Sequence, residues 1–102
     1  MTIRIAVDPD TGNITYVPSV THVRRGDSIS WRANGHFAIM FRDGTPADHV
    51  GIQSGPEQDS APLVLRKDAP LGHYHYQVAV AVETPGGLRV FLDAGCPDII
   101  VD

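Results

Sequence analysis

The sequence predicts an all-β domain, and three observations predict it. No long window carries apolar residues at the three-and-four spacing of an amphipathic helix. Short runs instead alternate apolar and polar residues, the period of two that half-buries a strand. Between the runs, 10 glycines and 8 prolines supply turn chemistry. Taken in order, the runs predict seven to nine short strands in two packed sheets with Greek-key connections, a β-sandwich. The 102 residues make one domain, residues 1–102. A chain of that size buries about 65% of its unfolded surface, enough for a core without disulfide or metal staples.

Ile3, Ile5 and Val7 alternate with Thr2, Arg4 and Ala6 in a first strand, and the dense turn residues from Asp8 to Asn13 end it. Residues 14–17 form a short second strand stopped by Pro18, which cannot donate to a ladder and suits an edge or a switch between sheets. Val20 and Val23 precede the turn cluster Arg24-Arg25-Gly26-Asp27, and Ile29 and Trp31 then alternate with Ser28, Ser30 and Arg32. Two strands are therefore expected to join at Gly26, where glycine can take positive φ. Asn34-Gly35 is a second turn signal, and residues 36–41 are apolar enough for a strand buried on both faces.

Residues 42–62 are broken so often by Gly, Pro, Asp and Ser that a long strandless connection is expected, with one helical turn near 47–50. Such a loop either binds something or merely crosses between sheets. Leu63 to Arg66 read as a strand and 67–72 as a turn. In the long strand that follows, Tyr74, Tyr76, Val78, Val80 and Val82 share one face, and His73, His75, Gln77, Ala79 and Ala81 the other. Residues 83–87 reverse the chain, 88–92 return, and 99–101 close the fold.

Pro18-Ser19, Val23, Gly26-Asp27, Ile29-Ser30-Trp31, Asn34 and His36 followed by apolar residues resemble the first half of the cupredoxins, the plastocyanin and azurin type of fold. Leu63, Leu65 and Gly72-His73-Tyr74-His75-Tyr76 look like that family's Gly-x-Tyr-x-Tyr strand. Together these blocks span about two thirds of the chain. The resemblance implies a cupredoxin-like sandwich. In the copper-binding members the first His is a ligand, and the tyrosine strand leads into a Cys, a His and a Met that complete the site. Counted from Tyr74 and Tyr76, the thiolate position here is Val78, and no His or Met follows it up to Asp102. Cys96 comes much later, before Pro97. A type 1 site needs two imidazoles, a thiolate and a weak axial ligand, so no blue-copper centre and no other cofactor are expected. A hairpin over 77–92 stands where copper relatives have their ligand loop.

No metal is expected, and the candidate ligands for an atypical copper or zinc site are His36, His73 and His75. His36 among apolar neighbours is expected to be a buried neutral imidazole bonded to a carbonyl. His73 and His75 share a strand face, but two donors without a third make a weak site. Cys96 has no surrounding catalytic motif and reads as a small buried hydrophobe. Arg25-Gly26-Asp27 matches an adhesion tripeptide, yet Gly-Asp is what the turn itself requires. Asp8 with Asp10 and Asp93 with Asp98 fit no calcium loop. No catalytic residues emerge, so the chain is not expected to be an enzyme.

The formal charge of −4, with Arg24-Arg25 and Arg66-Lys67 isolated, argues against nucleic acid. No run of about 18 apolar residues argues against a membrane span. The lone cysteine and a start without a leader pattern point to the cytoplasm. The expected function is a soluble, non-enzymatic binding or interaction module without blue copper, the alternative being a metal-binding or redox protein with an atypical His site. Its expected contact is the 77–92 hairpin, with Val78, Val80, Val82, Leu88, Val90 and Leu92 on one apolar face, meeting a second copy or a protein partner.

Overall fold

The computed structural model describes residues 1–41, 44–47, 49, 51–93 and 97–102. Strand β1 (Thr2–Val7) buries Ile3, Ile5 and Val7 and exposes Thr2 and Arg4, as its alternation requires. It pairs antiparallel with β2 (Ile14–Val17) and parallel with β4 (Ser28–Ala33). With β7 (Leu63–Val64) these form a four-stranded sheet in the order β2-β1-β4-β7. Strand β2 is an edge, and just after Pro18 the chain crosses to the second sheet as β3 (Thr21–Val23). The proline thus ends an edge strand and precedes a switch of sheets.

The second sheet is built on β8 (Gly72–Thr84), a 13-residue strand long enough to take two partners along one side. Its first half pairs with β10 (Asp98–Val101) and its second half with β9 (Gly87–Asp93). On its other side lies β5 (His36–Phe41), which pairs in turn with β6 (Gly51–Ser54). The order is β3-β10-β8-β5-β6 with β9 attached to β8, six strands in all. The architecture is the all-β sandwich expected of a cupredoxin-type chain.

Three local expectations are corrected. First, β3 and β4 do not pair with each other: β3 runs parallel to β10, and β4 lies in the other sheet. The turn exists, with Asp27 N donating to Arg24 O at 3.1 Å and Gly26 at φ 85°. Its next amides go elsewhere, however, Gly26 N to Leu65 O and Leu65 N to Asp27 O. The apolar sides of β3 and β4 therefore meet across the core. Second, the 42–62 stretch contains a strand, β6. Only Ile52 in Gly51–Ser54 is apolar, so the segment carries no strand signal of its own and takes its conformation from the open side of β5. This brings the number of strands among the described residues to ten. The helical turn near 47–50 has no counterpart at Ala47, which bridges to Leu65; residues 48 and 50 lie outside the described ones. Third, β5 is buried on one face only: Phe37, Ile39 and Phe41 point inward while His36, Ala38 and Met40 face solvent.

The core lies between the sheets. Trp31 is fully buried and meets Tyr76 edge-on, ring centroids 5.6 Å apart at 71°, while Tyr76 also packs on Phe41 at 5.5 Å. Such pairs add about 0.5–1.5 kcal/mol each beyond area burial. Burial pushes the Tyr76 hydroxyl up to about 12, with the nearby Trp31 indole N–H opposing the rise and Asp98 and Asp93 adding to it. Asn34 closes the end of β1 in place of a strand: its Oδ1 accepts from Val7 N at 3.0 Å and its Nδ2 donates to Val7 O at 2.9 Å. Gly35 lies so close to β8 that a Cβ there would be 2.4 Å from Ala81 O, which no side chain tolerates.

Candidate functional site

The expectation of one apolar face on the 77–92 hairpin is corrected by its register. Val78 faces Asp93, Val80 faces Phe91 and Val82 faces Arg89, whereas Ala79, Ala81 and Glu83 face Leu92, Val90 and Leu88. Directly opposed residues share a face. The cause is the length of the turn: Thr84 pairs with Gly87, so two residues form the loop and even positions of β8 oppose odd positions of β9. The six apolar residues are thereby split. Val78, Val80 and Phe91 enter the core, and Leu88, Val90 and Leu92 point outward at 61%, 60% and 74% exposure.

The outward side of β5, β8 and β9 consequently forms an apolar surface. Its floor is made of small residues, Ala38 directly opposite Ala79, and Ala81, which stands opposite His36. Met40, 52% exposed, rises on one side and Leu92 on the other. The groove between them holds about 660 Å³ and is lined by Ala38, Met40, Gln53, Gln77, Ala79 and Leu92. It adjoins a second hollow bordered by His36, Ser54, Gly55, Ala81 and Val90. A surface of this kind binds apolar side chains by removing them from water, and it offers few polar groups to orient a reaction.

His36 is exposed on that surface, which corrects the expectation of a buried imidazole: it opens β5 on the solvent side, because the strand buries its even-numbered positions nowhere. His73 and His75 are exposed, as strand parity predicts. The three candidate ligands do not converge. Ala81, the partner of His36, lies six positions along β8 from His75, about 20 Å at a strand's rise per residue. His73 Nδ1 is 2.9 Å from Asp98 Oδ2, and His75 stands opposite Asp98 in the ladder. A similar pair, His22 Nδ1 to Asp102 Oδ2 at 3.0 Å, lies two strands away across Ile100. Sequence reasoning missed His22 and the carboxylate partners because β3, β10 and β8 meet only through long-range pairing. Among the described residues, no group of three or more His, Cys, Asp or Glu side chains could hold a metal ion. Val78, at the position that the resemblance gives to a thiolate, is packed in the core at 2% exposure. Cys96 lies outside the described residues.

The later part of the 42–62 stretch is held as a crossing. Glu57 N donates to Ala33 O, Ser60 N to Trp31 O and Trp31 N to Ser60 Oγ, while Arg4 and Arg32 contact the Glu57 carboxylate. Strand β9, by contrast, pairs with β8 alone among the described residues. Its inner face is fixed to the first sheet: Arg89 lies 5.1 Å over the Phe91 ring and donates to Pro9 O, and the Tyr16 hydroxyl donates to Asp93 Oδ2 at 2.8 Å.

The chain matches no protein-family model and no curated protein. Among solved structures it is similar to an amicyanin mutant in its reduced Cu(I) form at pH 4, with 15% identity and a TM-score of 0.48 over 99% of this chain and 82% of that one.

Proposed function

We propose that this chain is a non-enzymatic β-sandwich that works as a protein-binding module, with the outer face of β5, β8 and β9 as its recognition surface and without a blue-copper centre. The observation that carries this reading is the row of Leu88, Val90 and Leu92, with Met40 across a floor of alanines, all facing solvent. Contiguous apolar surface of this kind is uncommon on a monomer that has nothing to bind. The partner is a second copy of the chain or another protein with an apolar side chain to seat. Nucleic acid is disfavoured by the net charge of −4. Among the described residues no helix is long and apolar enough to cross a membrane. A single cysteine suits a reducing compartment, the cytoplasm being the proposed location.

The test is titration of dilute protein with anilinonaphthalene sulfonate, a small apolar fluorophore, comparing the wild type with Met40→Lys and Leu92→Lys. The wild type should enhance its fluorescence saturably, and each folded variant should lose most of the enhancement. Equal enhancement by all three would refute the surface.

A second reading, a copper or zinc protein with an atypical site, is favoured by one contact. The Asp98 carboxylate on His73 Nδ1 leaves Nε2 as the ligating nitrogen, the arrangement found behind metal-bound histidines. His75 on the same face would be the second donor, and His36 is too remote to be the third. Metal analysis of untagged protein separates the two readings: stoichiometric copper or zinc would favour the second.

A further inference from the structure

We infer that the module recognises a second copy of itself through β9, the two strands pairing antiparallel about a two-fold axis at Phe91. This goes beyond the reading of the outer β5-β8-β9 face as an interaction surface: it gives a partner to the edge of β9 beside that face and leaves the face itself open.

Among the sheet edges, β9 differs from the others in length. Strands β2 and β6 have four residues, β3 has three and β7 two, whereas β9 has seven. Short edges are one of the usual guards against pairing between molecules, and charged side chains, Lys above all, and Pro are others. Gly87–Asp93 contains neither Lys nor Pro, and its two charges, Arg89 and Asp93, are of opposite sign and can therefore pair between copies. Along this strand, about 24 Å of ladder at the usual rise, alternate backbone N–H and C=O groups face away from β8.

The charge pattern selects the partner and the register. In an antiparallel pair centred on Phe91, Arg89 stands opposite Asp93 of the second copy, and Val90 opposite Leu92 of the second copy. Symmetry makes each of these contacts twice. Arg89, Phe91 and Asp93 lie on the inner side and Val90 and Leu92 on the outer, so opposite charges meet on one face and apolar side chains on the other. Other registers lose this. Centring on Arg89 sets two guanidiniums against each other, and centring on Val90 sets Arg89 against Phe91 and Asp93 against Gly87. Both charged side chains are already positioned, Arg89 by the Phe91 ring and Pro9 O, and Asp93 by the Tyr16 hydroxyl. Pairing would join the two six-stranded sheets into one and double the outer apolar surface.

The experiment is sedimentation equilibrium across a concentration series up to about 500 µM, with cooperative unfolding measured to verify each fold. The wild type should form dimers. Arg89→Asp and Asp93→Arg each oppose like charges twice per dimer and should weaken association at least about tenfold. An equimolar mixture of the two variants regains both opposite-charge pairs and should dimerise like the wild type. Arg89→Gln and Asp93→Asn serve where a reversal does not fold; each alone should weaken dimerisation, and an equimolar mixture, which regains one of the two opposite-charge pairs, should restore it in part. A wild type that stays monomeric, or dimers indifferent to these changes, would overturn the inference. If the monomer nevertheless binds anilinonaphthalene sulfonate through Leu92, the interaction surface stands and only the pairing through β9 is wrong.

Discussion

Two valines on the same hairpin provide the sharpest test of its register. Val80 is fully buried between the sheets and Val90 is 60% exposed on the outer face, so replacing each by alanine removes the same atoms from opposite environments. At Val80 the lost transfer energy is about 1.6 kcal/mol for two methyl equivalents, and the residual cavity raises the cost to about 2–3 kcal/mol. At Val90 the cost should stay within about 0.5 kcal/mol. A small domain has about 5–15 kcal/mol of stability and a urea slope of about 1–3 kcal/mol/M. Val80→Ala should therefore lower the urea midpoint by roughly 1–2 M at an unchanged slope, and Val90→Ala by a few tenths at most. The measurement belongs at low protein concentration, where association does not contribute. Equal losses at both positions would place the two valines on one face and refute the register.

Gly35→Ala drives a Cβ into Ala81 O and should destabilise the fold by more than about 2 kcal/mol, whereas Gly86→Ala at the hairpin tip should cost far less; calorimetry compares them. Tyr76, raised to about 12, should ionise last in an ultraviolet pH titration. Because the folded state holds this proton more tightly, stability is unaffected below about pH 10 and falls between 10 and 12, by about 2–3 kcal/mol for a shift of two units. Tyr76→Phe should flatten that fall. Zinc or nickel binding by titration calorimetry should be no tighter than about micromolar and should vanish in the double change His73→Ala with His75→Ala; nanomolar affinity that survives it would place the site elsewhere. Added copper should give no intense visible thiolate band, and a strong colour abolished by Cys96→Ala would contradict this.

Residues whose environment is set by their own strand were legible in the sequence. The inward side of β1, Trp31 in the core, and the division of β8 into a tyrosine and valine side and a histidine side all follow from alternation alone. Features fixed by pairing were not. Whether the Gly26 turn closes a hairpin or changes sheets depends on Leu65 taking its amides, some forty residues away. The side of Leu88, Val90 and Leu92 depends on a two-residue loop within a run of five turn-forming residues, where a shift of one position exchanges core for surface. His36 and Met40 sit in an apolar run that looks doubly buried, and their exposure reflects the missing cover over this sheet rather than any residue near them. The His22 and His73 carboxylate partners arise from tertiary pairing with β10.

The recognition surface itself is tested most directly by amide NMR spectra recorded while anilinonaphthalene sulfonate is added to dilute protein. Shift changes should concentrate at Ala38, Met40, Gln77, Ala79 and Leu92, around the groove. Changes that cluster instead around His73, His75 and Asp98, or that spread without pattern over both sheets, would contradict a binding surface on the outer face of β5, β8 and β9.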